Sequence, residues 1–218
     1  SNSETLFSRE PFSAKFAAMD STQLKILDAA RRIFLKKGYD GARMQEIADE
    51  AGMNKALLHY YFHSKDHLYE TFLIEAFSRI LPLVKELVVA DLPAVSKIEL
   101  FVYNYLSITS VQPEIASFLQ IEFQRNPQKC IEILSKGIQS PDWNRFLDQI
   151  RMETAQGNFI AVNPQLVLLQ IFSLCLFPFV ARNLATSLMN LQESEYRQLL
   201  EENKQFLSSW LANSFRKH

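Results

Sequence analysis

From residue 21 onward the apolar positions recur with a helical period. Ile26, Leu27, Ala30, Ile33 and Phe34 mark one face, and Gly38 follows Lys36-Lys37 as a C-terminal stop. A short second helix places Met44, Ile47, Ala48 and Ala51 at i, i+3, i+4 and i+7 before Gly52 ends it. Asn54 caps a third short helix by accepting a bond from an early backbone N–H, and Leu58, Tyr61 and Phe62 form its inward face. Ser64 caps a fourth, longer helix that carries Leu68, Phe72, Ala76 and Ile80.

Proline punctuates the rest. Pro82 removes one N–H donor and crowds the preceding turn, which predicts a kink or stop near Leu81. Pro93, Pro113, Pro127, Pro141 and Pro164 each precede an apolar-periodic stretch and suit a first helical turn. The pattern implies about nine helices, with proline as the recurrent opener. The final stretch is the clearest: Tyr196, Leu199, Leu200, Asn203, Leu207, Trp210, Leu211 and Phe215 trace one stripe. No strand-like alternation competes, and the fold class reads as all-α.

Composition agrees. Glycine is scarce, 5 in 218 residues, whereas sheet proteins need it at tight turns; Phe contributes 17. Residues 166–181 are the most apolar window, but they include Gln170, Ser173 and Pro178 and fall short of the roughly 20 residues of a membrane span. A buried helix is expected there, and no membrane partner. Residues 1–19 lack the continuous apolar core of a secretory signal and read as a tail. Cys130 and Cys175 form neither a disulfide framework nor a metal-spaced cluster, so a reducing cytoplasm is expected.

Candidate chemistry sits in residues 38–68, where two short helices meet at a tight turn, Ala51-Gly52-Met53, behind a longer supporting helix. That is the helix-turn-helix arrangement, whose second helix enters the DNA major groove. At 100° per residue Ala56, His59, Tyr60 and His63 point outward, flanked by Lys55 and Leu57.

This stretch resembles the N-terminal domain of the TetR family of transcriptional regulators. The resemblance rests on Ile26-Leu27-Asp28-Ala29-Ala30, Phe34, Gly38-Tyr39, Ile47-Ala48, Ala51-Gly52-Met53, and Leu58-His59-Tyr60-Tyr61-Phe62 followed by Ser64-Lys65-Asp66 and Leu68. It implies a DNA-binding domain over residues 20–81 and a helical regulatory and dimerisation domain over 82–218. By the resemblance Lys65 is a phosphate-contacting lysine and His59 touches the DNA backbone. Tyr60, Lys55, Ala56 and Leu57 face base edges; Arg43, a departure from the family's usual Thr or Ser, is expected to bind a phosphate near the start of the second helix. The family's threonine, which caps the second helix, is replaced at Ala42, a loss worth about 1 kcal/mol. Leu57, where a small or hydroxyl residue is usual, suits a thymine methyl.

Charge qualifies that reading. Net charge is -1 overall, and residues 20–70 carry eight Lys and Arg against eight Asp and Glu. Affinity for DNA must then come from local positive surface. His59, His63 and His67 are spaced i, i+4 and i+8, but Ser64 breaks the helix between them and no further ligand completes a zinc set; no metal or cofactor is expected. No nucleophile elbow, dinucleotide fingerprint or phosphate loop occurs, so an enzyme is not expected.

For the remainder, the resemblance implies a homodimer through the last two helices, meeting double-stranded DNA with a two-fold related operator. It also implies an apolar or aromatic small-molecule effector. Phe101, Tyr105, Phe118, Phe123, Phe172 and Phe177 are the candidate lining. A repressor released by such a ligand is the leading expectation. The competing one is an all-helical interaction or small-molecule carrier protein of the same fold that does not read DNA.

Overall fold

The structure is a computed structural model that describes residues 16, 18–138 and 143–217. Most of the expected tail over residues 1–19, and Pro141 as a helix opener, lie outside the described residues. Twelve helices are seen among the described residues and no strand, only an isolated bridge between Phe159 and Arg216.

Helix α1 (Ser21–Gly41) begins with a device the apolar pattern does not reveal. The Asp20 carboxylate accepts from the Thr22 and Gln23 N–H groups at 2.8 Å, and the Gln23 side chain accepts from Asp20 N at 3.0 Å. Gly38 interrupts α1 at φ 68°, a left-handed conformation that costs glycine nothing, so the expected stop becomes a sharp break. Then come α2 (Met44–Glu50), α3 (Lys55–Phe62) and α4 (Lys65–Ser78). Ile26, Ala30, Phe34, Ile47, Leu58, Leu68 and Phe72 are all buried. The Phe34 ring stacks on Phe72 at 5.7 Å and meets Tyr69 edge-on at 4.8 Å.

Pro82 does not kink α4. Helix α4 stops at Ser78, and Pro82 sits in the first turn of a separate helix, α5 (Leu81–Val89). The others are α6 (Ala94–Val111), α7 (Pro113–Arg125), α8 (Pro127–Ile138), α9 (Trp143–Ala155), α10 (Pro164–Val180), α11 (Arg182–Met189) and α12 (Glu193–Phe215). The excess over nine arises because α5 and α11 are helices of their own and α12 opens without a proline.

The described residues divide into two units, one ending at Arg79 but including 129–137, the other beginning at Ile80. In the first, Lys129 pairs with Glu70 at 3.9 Å, and Cys130 and Ile133 of α8 are buried.

In the second unit α6 packs along α12, with Ile98, Phe101, Val102 and Tyr105 buried against a core that includes Leu207, Leu211 and Phe215. Pro93 precedes α6 and offers no capping side chain. The buried Glu153 carboxylate of α9 takes that role, accepting from the Ala94 N–H at 3.0 and 3.1 Å. Gln149 donates to Glu153 at 2.7 Å and accepts from the buried Lys97 ammonium at 2.7 Å. Burial pushes Lys97 below its ordinary value, with Arg145 adding repulsion.

Helix α10 corrects the expectation of a buried helix. Val167, Ile171, Cys175 and Phe179 face inward at i, i+4, i+8 and i+12, while Leu166, Leu169, Phe177 and Val180 are exposed. The α12 stripe likewise splits into two faces. Tyr196, Leu200, Leu207, Leu211 and Phe215 are buried, whereas Leu199, Phe206 and Trp210 are exposed. No single described helix is long and apolar enough to cross a membrane; α10 and α11 qualify only jointly and are bent by 64°.

Candidate nucleic-acid interface

The turn between α2 and α3 is built from backbone bonds. Met53 N donates to Ala48 O at 3.0 Å and Gly52 N to Asp49 O at 3.1 Å, closing a Schellman motif in which Gly52 has φ 68°. Asn54 then accepts from Leu57 N at 2.8 Å and starts α3 at once. Leu58 and Phe62, one turn apart, are buried and anchor the helix. Lys55, Ala56, Leu57, Tyr60 and His63 are left exposed, and Tyr60 is 74% exposed with its ring edge-on to Tyr61 at 5.2 Å. Tyr61 is half-buried rather than fully inward.

His59 is half-buried, and its Nδ1 lies 2.9 Å from His63 O, so Nδ1–H donates and Nε2 is the acceptor of the neutral ring. His63 itself adopts φ 51°, ψ -49°, and Ser64 N donates back to Phe62 O. That is a γ-turn of the strained, positive-φ kind. Ser64 Oγ accepts from His67 N at 3.1 Å and opens α4. The His63 and His67 rings stack at 6.3 Å, but no three His, Cys, Asp or Glu among the described residues converge to hold a metal.

The N-cap of α2 is Arg43, not Ala42. Ala42 is buried at the end of the preceding turn, so the missing threonine cap belongs one residue later than the resemblance implies. Arg43 supplies no capping side chain. Glu46 compensates in part: its carboxylate bonds Lys37 at 2.9 Å and accepts from the Arg43 backbone, both of which hold it below the usual carboxylate range, Lys37 most.

Most cations of this unit are already engaged. Arg31 pairs with Glu75 at 2.5 Å, Arg32 with Glu50 at 2.6 Å, and Lys37 with Glu46. Arg43 is exposed, as is Lys55, and neither has an ion pair among the described residues. Helix α3 carries no carboxylate.

Lys65 is in a different situation. It is half-buried, and its Nζ donates to Tyr39 O at 3.0 Å and to Ala42 O at 3.2 Å. The same ammonium lies 4.2 Å from the centroid of the Tyr39 ring, whose hydroxyl donates to Asp66. Asp66 and burial push the Tyr39 hydroxyl up to about 12. Tyr39 and Asp66 were not singled out as site residues in the sequence, because their pairing spans 27 positions.

The expected effector lining is dispersed. Phe101, Tyr105 and Phe118 are buried and Phe172 is half-buried, but Phe123 and Phe177 stand at the surface, Phe177 at 65% exposure. Phe172 faces outward enough to meet both Phe101, at 6.3 Å, and Trp143, at 5.9 Å, edge to face. These rings fill space. A cleft of about 480 Å³ in the second unit lies elsewhere, among Asp91, Pro93, Gln149, Glu153, Asn158 and Arg216, and contains none of the six candidates, whereas Phe101 borders a much smaller one with Leu83, Lys97 and Asn104.

Residues 26–72 match the family described as bacterial regulatory proteins, tetR family. The protein is also similar to the probable HTH-type transcriptional regulator YttP of Bacillus subtilis (strain 168). Identity there is 25% over 205 residues, covering 90% of this chain and 95% of that one. Residues 26–72 thus carry the likeness to the tetR family, and the likeness to YttP extends along most of the chain. The matched family is described as regulatory proteins and YttP as a transcriptional regulator; neither description names an enzyme. Over 46 residues the chain is 46% identical to IcaR of Staphylococcus aureus (strain Newman), a negative regulator of the biofilm operon icaADBC; this spans 21% of this chain and 25% of IcaR. Its fold resembles that of the regulator FadR from Bacillus subtilis in complex with stearoyl-CoA. The TM-score is 0.58 at 21% identity, covering 85% of this chain and 97% of that one.

Proposed function

We propose that this protein is a homodimeric repressor of the TetR family that reads a two-fold related operator through α3 and is released by an apolar small molecule. The carrying observation is the exposed face of α3: Lys55, Ala56, Leu57 and Tyr60 project from a helix with no carboxylate, beside an exposed Arg43. In this reading Tyr60, Ala56 and Leu57 meet base edges, Arg43 and Lys55 meet phosphates, and His59 touches the backbone through its ring. Residues 20–81 are the DNA-binding domain and residues 82–218 the regulatory one. A cytoplasmic location follows from a partner that is chromosomal DNA.

Dimerisation is supported by the outward stripes of α10 and α12, which pack on each other and leave Leu166, Leu169, Phe177, Phe206 and Trp210 exposed. Apolar surface of that extent calls for a cover. A second copy presenting the same stripes gives a two-fold contact, which matches two half-sites. Repression takes its support from the negative regulation named for IcaR. An apolar effector takes its support from the stearoyl-CoA complex of FadR and from the ring cluster of Phe101, Tyr105, Trp143 and Phe172.

The test is selection of duplexes from a randomised pool by the purified protein, followed by titration with a fatty acyl-CoA. Enrichment of an inverted repeat supports the reading. Enrichment of nothing leaves a helical carrier. If the acyl-CoA weakens DNA binding, DNA must weaken acyl-CoA binding by the same factor, typically about 5–150-fold.

A further inference from the structure

We infer that the cleft of about 480 Å³ lined by α9 and by the loop before α6 is a binding site for a small zwitterion of about dipeptide size, one that carries an ammonium and a carboxylate on an apolar body. This goes beyond the reading of α3 as a DNA-facing helix and does not depend on it.

The lining of the cleft is fixed by bonds within the chain. Gln149 of α9 donates to Leu92 O at 2.7 Å, and Glu153 accepts from the Ala94 N–H, so α9 holds residues 92–94. Asp91 immediately precedes that stretch and lines the cleft. Arg216 reaches it from another part of the chain. Ile160 N donates to Phe215 O at 3.0 Å, and the Phe159 and Phe215 rings stack at 5.4 Å. Phe159 also forms the isolated bridge with Arg216, which ties the Arg216 backbone to the segment after α9, beside Asn158. A concave site already formed in this way loses little freedom when it binds.

The charges decide the class of ligand. Asp91 and Arg216 line one cleft, yet neither side chain makes an ion pair or hydrogen bond among the described residues, with the other or with any third group. Elsewhere in the same unit Arg182 and Arg197 both pair with Glu193. Glu153 is a second carboxylate of the lining, but it is buried and accepts from Ala94 N and from Gln149, whose own oxygen meets the Lys97 ammonium. Lys97 therefore offsets Glu153 across Gln149, and the open charges are Asp91 and Arg216. An anion alone would face Asp91, and a cation alone would face Arg216. An apolar molecule would strip water from both and replace it for neither. A zwitterion meets both, with charge-assisted hydrogen bonds at each end. Its apolar body has Leu92 and Met152 to lie on, at 41% and 54% exposure. At about 30 Å³ per water the cleft corresponds to roughly 16 waters, close to the non-hydrogen atoms of a dipeptide.

The experiment titrates the full chain by calorimetry with L-leucyl-L-leucine, with its N-acetyl derivative, which lacks the ammonium, and with its C-terminal amide, which lacks the carboxylate. Three proteins are compared: unmodified, Asp91→Asn and Arg216→Gln. Both substitutions fall at exposed positions, and an unchanged thermal transition shows that each variant is folded. The dipeptide should bind the unmodified protein, and each derivative should bind about 10-fold or more weakly, the usual worth of one charged hydrogen bond. Asp91→Asn should weaken the dipeptide by about 10-fold and leave the N-acetyl derivative no weaker than before. Arg216→Gln should weaken the dipeptide similarly and leave the amide no weaker than before. Absence of dipeptide binding overturns the inference, as does equal binding of all three molecules. Dependence on only one of the two charges overturns it too, and so does dipeptide binding that neither substitution changes. The derivatives probe the same two charges from the ligand's side, so they decide the matter even if a variant unfolds. None of these outcomes bears on whether α3 meets DNA.

Discussion

The two units present opposite kinds of surface to solvent. In the first, charge is plentiful but largely neutralised in place: Arg31, Arg32 and Lys37 of α1 are each paired with a carboxylate. That leaves α3 with a face free of acidic groups and one dominant exposed ring, Tyr60. In the second, the exposed face of α10, α11 and α12 is apolar, and α11 buries none of its residues, with Leu184 and Leu188 both well exposed. One surface suits a polyanion and the other suits an apolar partner. The contrast also explains why a net charge of zero over residues 20–70 says little about DNA: what matters is which charges are already paired.

The sharpest way to break the contrast is to place charge on each side of α12. Leu211 is 2% exposed and Leu207 is 5% exposed. Leu211→Glu buries a carboxylate without a partner and should cost about 4 kcal/mol or more, so that the second unit loses its cooperative thermal transition. Phe206→Glu with Trp210→Glu, at positions 65% and 51% exposed, should keep the fold and yield monomers in sedimentation. The monomers should bind operator about 100-fold or more weakly, having lost the linked second half-site. A Trp210 whose fluorescence does not change with protein concentration, in a Trp143→Phe background, argues that this face is not the dimer contact.

Smaller effects sharpen each half. Tyr60→Ala should alter which duplexes are selected, at about 1–3 kcal/mol for the preferred base pair, with little change in the salt slope. Glu153→Ala removes the acceptor of the Ala94 N–H and should lower thermal stability by about 1–3 kcal/mol while leaving selected sequences as they were. The smallest is Asn54→Ala, which removes the cap of α3 and should cost about 1 kcal/mol, read by chemical denaturation.

What the chain reveals in advance follows from how local each interaction is. The caps at Asn54 and Ser64 and the stop at Gly52 involve neighbours within a few positions, whereas Gly38 breaks α1 without ending it. The Glu153 carboxylate capping α6 bridges 59 positions, and no local pattern announces it. The α12 stripe fails for another reason. A helix that is apolar on two adjoining faces looks like one wide stripe, and only packing tells Leu207 from Phe206. Lys65 was legible as a special lysine by resemblance, but its two carbonyl partners lie 26 and 23 positions earlier and emerge only in the fold.

The γ-turn at His63 sets a limit on how such a regulator can diversify. With Ser64 N bonded to Phe62 O, α3 passes into α4 through only two residues, His63 and Ser64, leaving no slack to absorb an added one. Each residue inserted there would turn α3 by about 100° relative to α4 and carry Tyr60 off its present face. New operator preferences must therefore arise by exchange of side chains at positions such as 56, 57 and 60, not by change of length. A library that varies those positions and holds residues 62–66 constant should retain folded members, and one that lengthens the junction should not.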